Sequence, residues 1–211
     1  MPKSALIVVD MQNDFVYPGG ALYVPYAYTL PPLINALING FRRAQQPVVF
    51  TRDWHPADHC SFIENGGQWP THCIAETSGA RINDFLPVPP GSTVIDKGTD
   101  PAAEQYSGFT PELRSILPRD THLYICGVAL DYCVMATYRD AVKCGYTAEI
   151  VLDATKAVSP TYDIKEALFG ALSARAYQSN IGPGGTLTPH QLPVEWCLST
   201  SITLTEDAAN A

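Results

Sequence analysis

Ser4-Ala-Leu-Ile-Val-Val-Asp10 carries an unbroken apolar run, Ala5 to Val9, that stops at a carboxylate. A run with no polar alternation reads as a strand buried on both faces, which is how strands of a parallel sheet read when helices cover both sides. The segments downstream extend that reading. Leu30, Leu33, Ile34, Leu37, Ile38 and Phe41 fall on one stripe of a helix, with Pro31 and Pro32 acceptable only in its first turn. Val48 to Thr51 is a second strand running into Asp53, and Thr93 to Ile95 a third running into Lys97. His122 to Cys126 is a fourth, followed by a helix over Asp131 to Lys143, a fifth strand over Glu149 to Leu152 and a helix over Ile164 to Tyr177. Alternating strand and helix implies right-handed βαβ crossovers, so the expected class is α/β, a three-layer α/β/α domain around a mainly parallel central sheet. One domain should span 1–211, with 179–211 a Gly-, Pro-, Thr- and Ser-rich extension that offers only a short strand near Ser201 to Leu204.

Composition narrows the function. The 211 residues are 46% apolar and 16% charged, too hydrophobic for a disordered chain and long enough for a sizeable core. The chain should fold alone or as a homo-oligomer. Thirteen basic residues against 21 acidic give a net charge of -8, with no cluster of Lys or Arg to follow a phosphate backbone, so nucleic acid is not expected as a partner. Ala5 to Val9 is far shorter than the ~20 residues of a membrane span and short for a signal-peptide core, so a cytoplasmic protein without membrane association is expected. Six dispersed cysteines without an export signal argue for reduced thiols rather than a disulfide framework.

Ligands of open α/β sheets bind beyond the carboxyl ends of the strands. Those ends present Asp10, Asp53 with His55, Lys97, and the turn before Cys133. Taken singly, a strand-ending Asp is usually a turn former, a lysine beside Gly98 a solvated charge, and a helical cysteine a small buried hydrophobe. Asp14, in the turn after Asp10, reads as structural. Together the acid, the amine and the thiol are the parts of a cysteine nucleophile. A helix N-terminus and a nearby ammonium favour the thiolate, and a carboxylate can carry its proton.

Asp53-Trp-His55-Pro-Ala-Asp-His59-Cys-Ser-Phe62 and Trp69-Pro-Thr-His72-Cys73 bring three of the five histidines close to one carboxylate in sequence. Asp53 and His55 are two apart on an extended segment, so both can face one side, and His72 can return from the loop to complete an open site. His59 is a candidate fourth ligand. Imidazole and carboxylate suit zinc, iron or manganese, with further positions left for water or substrate. A soft zinc site at Cys60 and Cys73 lacks a close Cys-x-x-Cys pair.

Asp10-Met-Gln-Asn-Asp-Phe15, the two histidine runs, Lys97-Gly98, Tyr106-Ser-Gly-Phe109 and Gly127-Val-Ala-Leu-Asp-Tyr-Cys-Val134 together resemble the nicotinamidases of the isochorismatase-like hydrolase family, over roughly residues 4 to 177. The resemblance implies a catalytic triad of Asp10, Lys97 and Cys133, and one divalent transition metal on Asp53, His55 and His72, zinc first, with iron or manganese as alternatives. It also implies a cis peptide between Val128 and Ala129, oxyanion donors at the Ala129 and Cys133 N–H groups, and Phe15, Trp69 and Tyr106 flanking an aromatic ring. The implied reaction is hydrolysis of nicotinamide to nicotinate and ammonia through a cysteine thioester, feeding NAD salvage. Leu130 stands where the family often has a small polar residue, and nothing after Tyr177 belongs to the motif set. Rival readings are a relative acting on isochorismate or a carbamoyl amide, which would not need all three metal residues, and an idle metal- or partner-binding protein. A thiol redox sensor would need a resolving cysteine near Cys133.

Overall fold

The computed structural model describes residues 3–159, 196–202 and 204. The expected helix over 164–177 and most of the 179–211 extension lie outside the described residues.

The run that opens the chain forms β1 (Ser4–Val9), at the middle of a sheet with β2 (Val48–Asp53), β3 (Thr93–Lys97), β4 (His122–Val128), β5 (Thr147–Lys156) and β6 (Trp196–Cys197). The order is β3-β2-β1-β4-β5-β6, and every neighbouring pair is parallel. Successive side chains of a strand point to opposite faces, so the unbroken apolar run feeds two cores. Leu6 and Val8 pack with Ile34, Leu37, Ile38 and Phe41 of α2 (Pro31–Arg43) and with Phe15 and Val16 of α1 (Asn13–Val16). Ala5, Ile7 and Val9 pack on the other face with Leu113 of α3 (Pro111–Ile116) and with Met135, Tyr138 and Ala141 of α4 (Met135–Lys143). The result is the three-layer α/β/α arrangement. Burial of each large apolar chain, Phe41 and Ile34 among them, contributes about 1.5–3 kcal/mol.

Local chemistry sets the helix ends. Pro31 and Pro32 occupy the first turn of α2, where a missing N–H costs nothing, and Arg42 and Arg43 fall in its last turn, where cations meet the free carbonyls. Thr110 caps α3 by accepting the Leu113 N–H at 3.3 Å.

Three expectations need correction. The fourth and fifth strands run further than their apolar centres, to Val128 and Lys156. The single helix over Asp131–Lys143 is two elements, a π-helical turn at Leu130–Val134 and then α4. The late strand among the described residues is Trp196–Cys197, paired with Ile150 and Val151, and the described residues Ser201, Ile202 and Leu204 of the expected late strand lie outside any strand. Ser199–Ser201 instead forms a 3-10 turn, where the Asp153 carboxylate takes the Ser199 N–H at 2.8 Å, drawing it away from a ladder, and accepts the Ser199 hydroxyl as well.

The strand order turns back between β1 and β4, and the carboxyl ends of these two strands border the crevice where such sheets place ligands. Their approach is close: Gly127 sits at φ +104°, and a Cβ there would overlap the backbone of Val9. No helix among the described residues is long and apolar enough to cross a membrane.

Candidate active site

Asp10 ends β1 in the left-handed region, φ +48°, a conformation that Asp tolerates better than most residues. Its carboxylate is fully buried and accepts the Thr51 hydroxyl at 2.7 Å. Lys97 ends β3 opposite Asp53 in the ladder. Its ammonium, also fully buried, stands 2.9 Å from Asp10 Oδ2, touches Asp53 Oδ1 and donates to Cys133 Sγ at 3.4 Å. Asp10, Asp53 and Cys133 thus offer two oxygens and a sulfur within 4.8 Å of one another, with Lys97 among them. Cys133 is presented by the π-helical turn after β4, a local irregularity of the kind that recurs at functional sites.

The charges are mutually dependent. Burial would strip the proton from Lys97, but Asp10 and Asp53 outweigh it and hold the ammonium well above its usual range. Burial raises Asp10, and the attraction of Lys97 only partly offsets it. Asp53 goes the other way: Lys97 and His55 overcome burial and hold its carboxylate well below the usual value. The expected depression of the Cys133 thiol is not found. Burial pushes it well above the ordinary thiol value, against the pull of Lys97. A thiol pushed upward in this way calls for a base to take its proton during the reaction.

Asp53, His55 and His72 form a second group, their ligand atoms also within 4.8 Å of one another and all three buried. His55 Nδ1 lies 2.8 Å from the Gly98 carbonyl and His72 Nδ1 2.7 Å from the Pro70 carbonyl. A carbonyl only accepts, so each Nδ1 carries the hydrogen and each Nε2 lone pair is left facing Asp53 Oδ2, at 3.6 and 4.0 Å. Two lone pairs and a carboxylate converging on one point call for a cation. Burial resists a proton on His72 and lowers it, whereas at His55 the Asp53 carboxylate overcomes burial and raises it. The donor set, with each imidazole oriented by a carbonyl behind it, fits a divalent transition metal. His59 does not join it. Its Nε2 faces the Ala103 carbonyl at 3.2 Å, its Nδ1 faces the Ser61 hydroxyl at 2.7 Å, and its ring stacks on His55 with centroids 4.2 Å apart. Both of its nitrogens face protein partners, and its ring supports that of His55.

Gly98 makes that second group possible. It sits at φ +62°, and a Cβ there would overlap the His55 ring that its carbonyl orients. Gly98→Ala is therefore expected to weaken zinc affinity by about 10–100-fold, as losses behind a metal ligand commonly do. Competition with a chromophoric chelator measures this, and an affinity equal to wild type would show that His55 is not held this way.

Between the groups opens a narrow cleft lined by Phe15, Leu22, Val24, Asp53, His55, Trp69, His72, Glu104, Tyr106, Ala129, Tyr132, Cys133 and Val158. Phe15, Trp69 and Tyr106 all reach it. The Tyr106 hydroxyl accepts from Trp69 Nε1 and Gln68 Nε2, each at 3.0 Å, which joins two loops across the cleft. The Val128–Ala129 peptide is cis; Ala129 lines the cleft, while Val128 is fully buried behind it.

The sequence matches the family described as isochorismatase domain over residues 4–177. The chain belongs to the isochorismatase family. Among curated members, the nicotinamidase of Escherichia coli (strain K12) is 33% identical over 183 residues, covering 75% of this chain and 85% of that protein. Among solved structures, the pyrazinamidase of Pyrococcus horikoshii in complex with zinc has a TM-score of 0.73 at 37% identity, covering 93% of this chain and 99% of the other. PnC1 from L. infantum, in complex with nicotinate, has a TM-score of 0.73 at 32% identity, covering 96% of each chain.

In this isochorismatase-family chain three residues of the site escape a reading of strand ends alone. Thr51, which donates to Asp10, was legible as a strand residue opposite Val9, but its partner shows only once the β1–β2 register is known. Gln12 locks β2 to the turn after β1, donating to the Asp53 and Ala80 carbonyls at 2.7 and 2.8 Å and accepting the Asp53 N–H at 2.7 Å. Tyr132 stands edge-on to Trp69 at 4.9 Å and lines the cleft; beside Cys133 it reads simply as one more helical aromatic.

Proposed function

We propose that the chain is a nicotinamidase that hydrolyses nicotinamide to nicotinate and ammonia, acting in the cytoplasm and supplying NAD salvage. The observation that carries this reading is the buried Lys97 ammonium, in contact with Asp10, Asp53 and Cys133, behind an aromatic cleft whose lining includes Cys133 and the Asp53, His55 and His72 group. The nicotinamidase and pyrazinamidase relatives support the same substrate class.

The chemistry follows from the protonation states. Asp10, raised by burial, takes the proton of the Cys133 thiol as the sulfur bonds to the amide carbon, and the carbonyl electrons move onto oxygen. Lys97 holds the negative charge shared by Asp10 and the sulfur. The N–H groups of Ala129 and Cys133 are the donors assigned to the oxyanion, a class of contact whose removal costs ~2.7–4 kcal/mol per donor. As the carbonyl re-forms, the C–N bond breaks and Asp10 returns the proton to the departing nitrogen, which leaves as ammonia. Water then attacks the thioester, giving its proton to Asp10. The C–S bond breaks, Asp10 passes that proton to the sulfur, and the product leaves as nicotinate as its carboxyl proton goes to solvent. Phe15, Trp69, Tyr106 and Tyr132 wall the ring and keep bulk water from it. Zinc on Asp53, His55 and His72 would orient the ring through its pyridine nitrogen.

Ammonia release from nicotinamide by purified protein, with and without chelator, tests the proposal. Release that falls at least about tenfold on chelation and returns with zinc is expected, since metal-held orientation contributes to rate. No release from zinc-loaded protein would remove nicotinamide as the substrate.

A further inference from the structure

Asp131 precedes Cys133 in the π-helical turn, yet its side chain does not cap that turn. Its carboxylate reaches to the segment after β5, where Oδ1 accepts the Val158 N–H and Oδ2 the Ser159 N–H, each at 2.9 Å. The β4–β5 ladder ends at Thr155 opposite Gly127 and Lys156 opposite Val128, so Val158 lies beyond the reach of strand pairing. The Val158 side chain lines the cleft beside Ala129, Tyr132 and Cys133, whereas Asp131 itself does not.

We propose that Asp131 is a positioning residue that fixes Val158 as a wall of the cleft and thereby sets which ring-substituted aromatic amides fit, an inference that rests on the amidase reading above. A carboxylate with both oxygens on successive backbone N–H groups makes two charge-assisted bonds, each roughly twice as strong as a neutral one. Because the carboxylate grows from the turn that carries the nucleophile, the wall is held in register with Cys133 Sγ. Asn in its place keeps the shape but turns an NH2 toward one of the two N–H groups, so one bond becomes a donor facing a donor.

The test compares kcat/KM for nicotinamide with kcat/KM for its 2-, 4-, 5- and 6-methyl derivatives, in wild type, Asp131→Asn and Val158→Ala. One methylene in an apolar pocket is discriminated by about 10–200-fold. The expected result is that at least one methyl isomer gains about tenfold or more relative to nicotinamide, chiefly through KM, and that the same isomer gains in both variants. If Asp131→Asn does not fold, Asp131→Glu takes its place, since the longer carboxylate displaces the wall while keeping both acceptors. Ratios equal to wild type in either variant, or a uniform fall for all five amides, would overturn the proposal. Wild-type turnover of nicotinamide judges the amidase reading separately. Should it be absent, calorimetric affinities for the same five amides in the same proteins decide whether Asp131 holds the wall.

Discussion

Cys133→Ala should lose ammonia release by about 10⁴-fold or more, the scale on which hydrolases lose turnover when their nucleophile is removed. The variant should still fold and still bind zinc with wild-type affinity. Cys133 Sγ lies in the group with Asp10 and Asp53, not in the Asp53, His55 and His72 group. Replacing one small buried side chain by a slightly smaller one should cost only about 1 kcal/mol. Single-turnover assays with zinc-loaded protein give the first quantity and chelator competition the second. Turnover within tenfold of wild type would mean that water attacks the amide directly and that no thioester forms. Lost zinc affinity would mean that the sulfur belongs to the metal group after all.

Lys97→Met is the more drastic change. The side chains are similar in length, but the substitution leaves Asp10 and Asp53 buried without the cation between them. Removing one partner of a buried ionic group costs about 3–5 kcal/mol, because the remaining charge stays desolvated. The variant should lose that much stability near neutral pH, measured by urea unfolding, along with all detectable turnover. The pH dependence has a definite sign. With its cation gone, Asp10 has a folded pKa further above the unfolded value, so its protonated form stabilises the fold and that contribution is lost as pH rises. In wild type the depressed Asp53 contributes stability above its unfolded pKa and loses it as pH falls. The gap between variant and wild type should therefore narrow toward acid. A gap that is constant with pH would show that Lys97 contributes through packing rather than charge.

The architecture was legible because β1 has no polar alternation, and only a strand covered on both sides can bury Ala5 through Val9. The strand ends were legible because each apolar run gives way to polar residues there: Asp10 follows the last residue of β1, and Asp53 and Lys97 are the last residues of β2 and β3. Three features were not. The π-helical turn at Leu130–Val134 has the same apolar spacing as an ordinary first helical turn, so periodicity could not separate it from α4. The Cys133 thiol was expected to be acidified by position and a nearby ammonium, but sequence carries no measure of burial, and burial outweighs the pull of Lys97. His59 lies at ligand spacing from His55, yet the Ala103 carbonyl that engages its ring comes from a distant loop.

The groups that meet beside the cleft come from positions 10, 53, 97 and 133, at or just beyond the ends of four strands that lie side by side out of chain order. No fragment shorter than residues 10–133 contains them all, and no local pairing can assemble them. The site exists only once the crossovers on both sides of β1 have closed, so it is among the last things folding makes and among the first that unfolding removes. For such a molecule, recovered turnover reports assembly of β3, β2, β1 and β4 together, and a chain stalled before those four strands are in place is chemically silent rather than partly active.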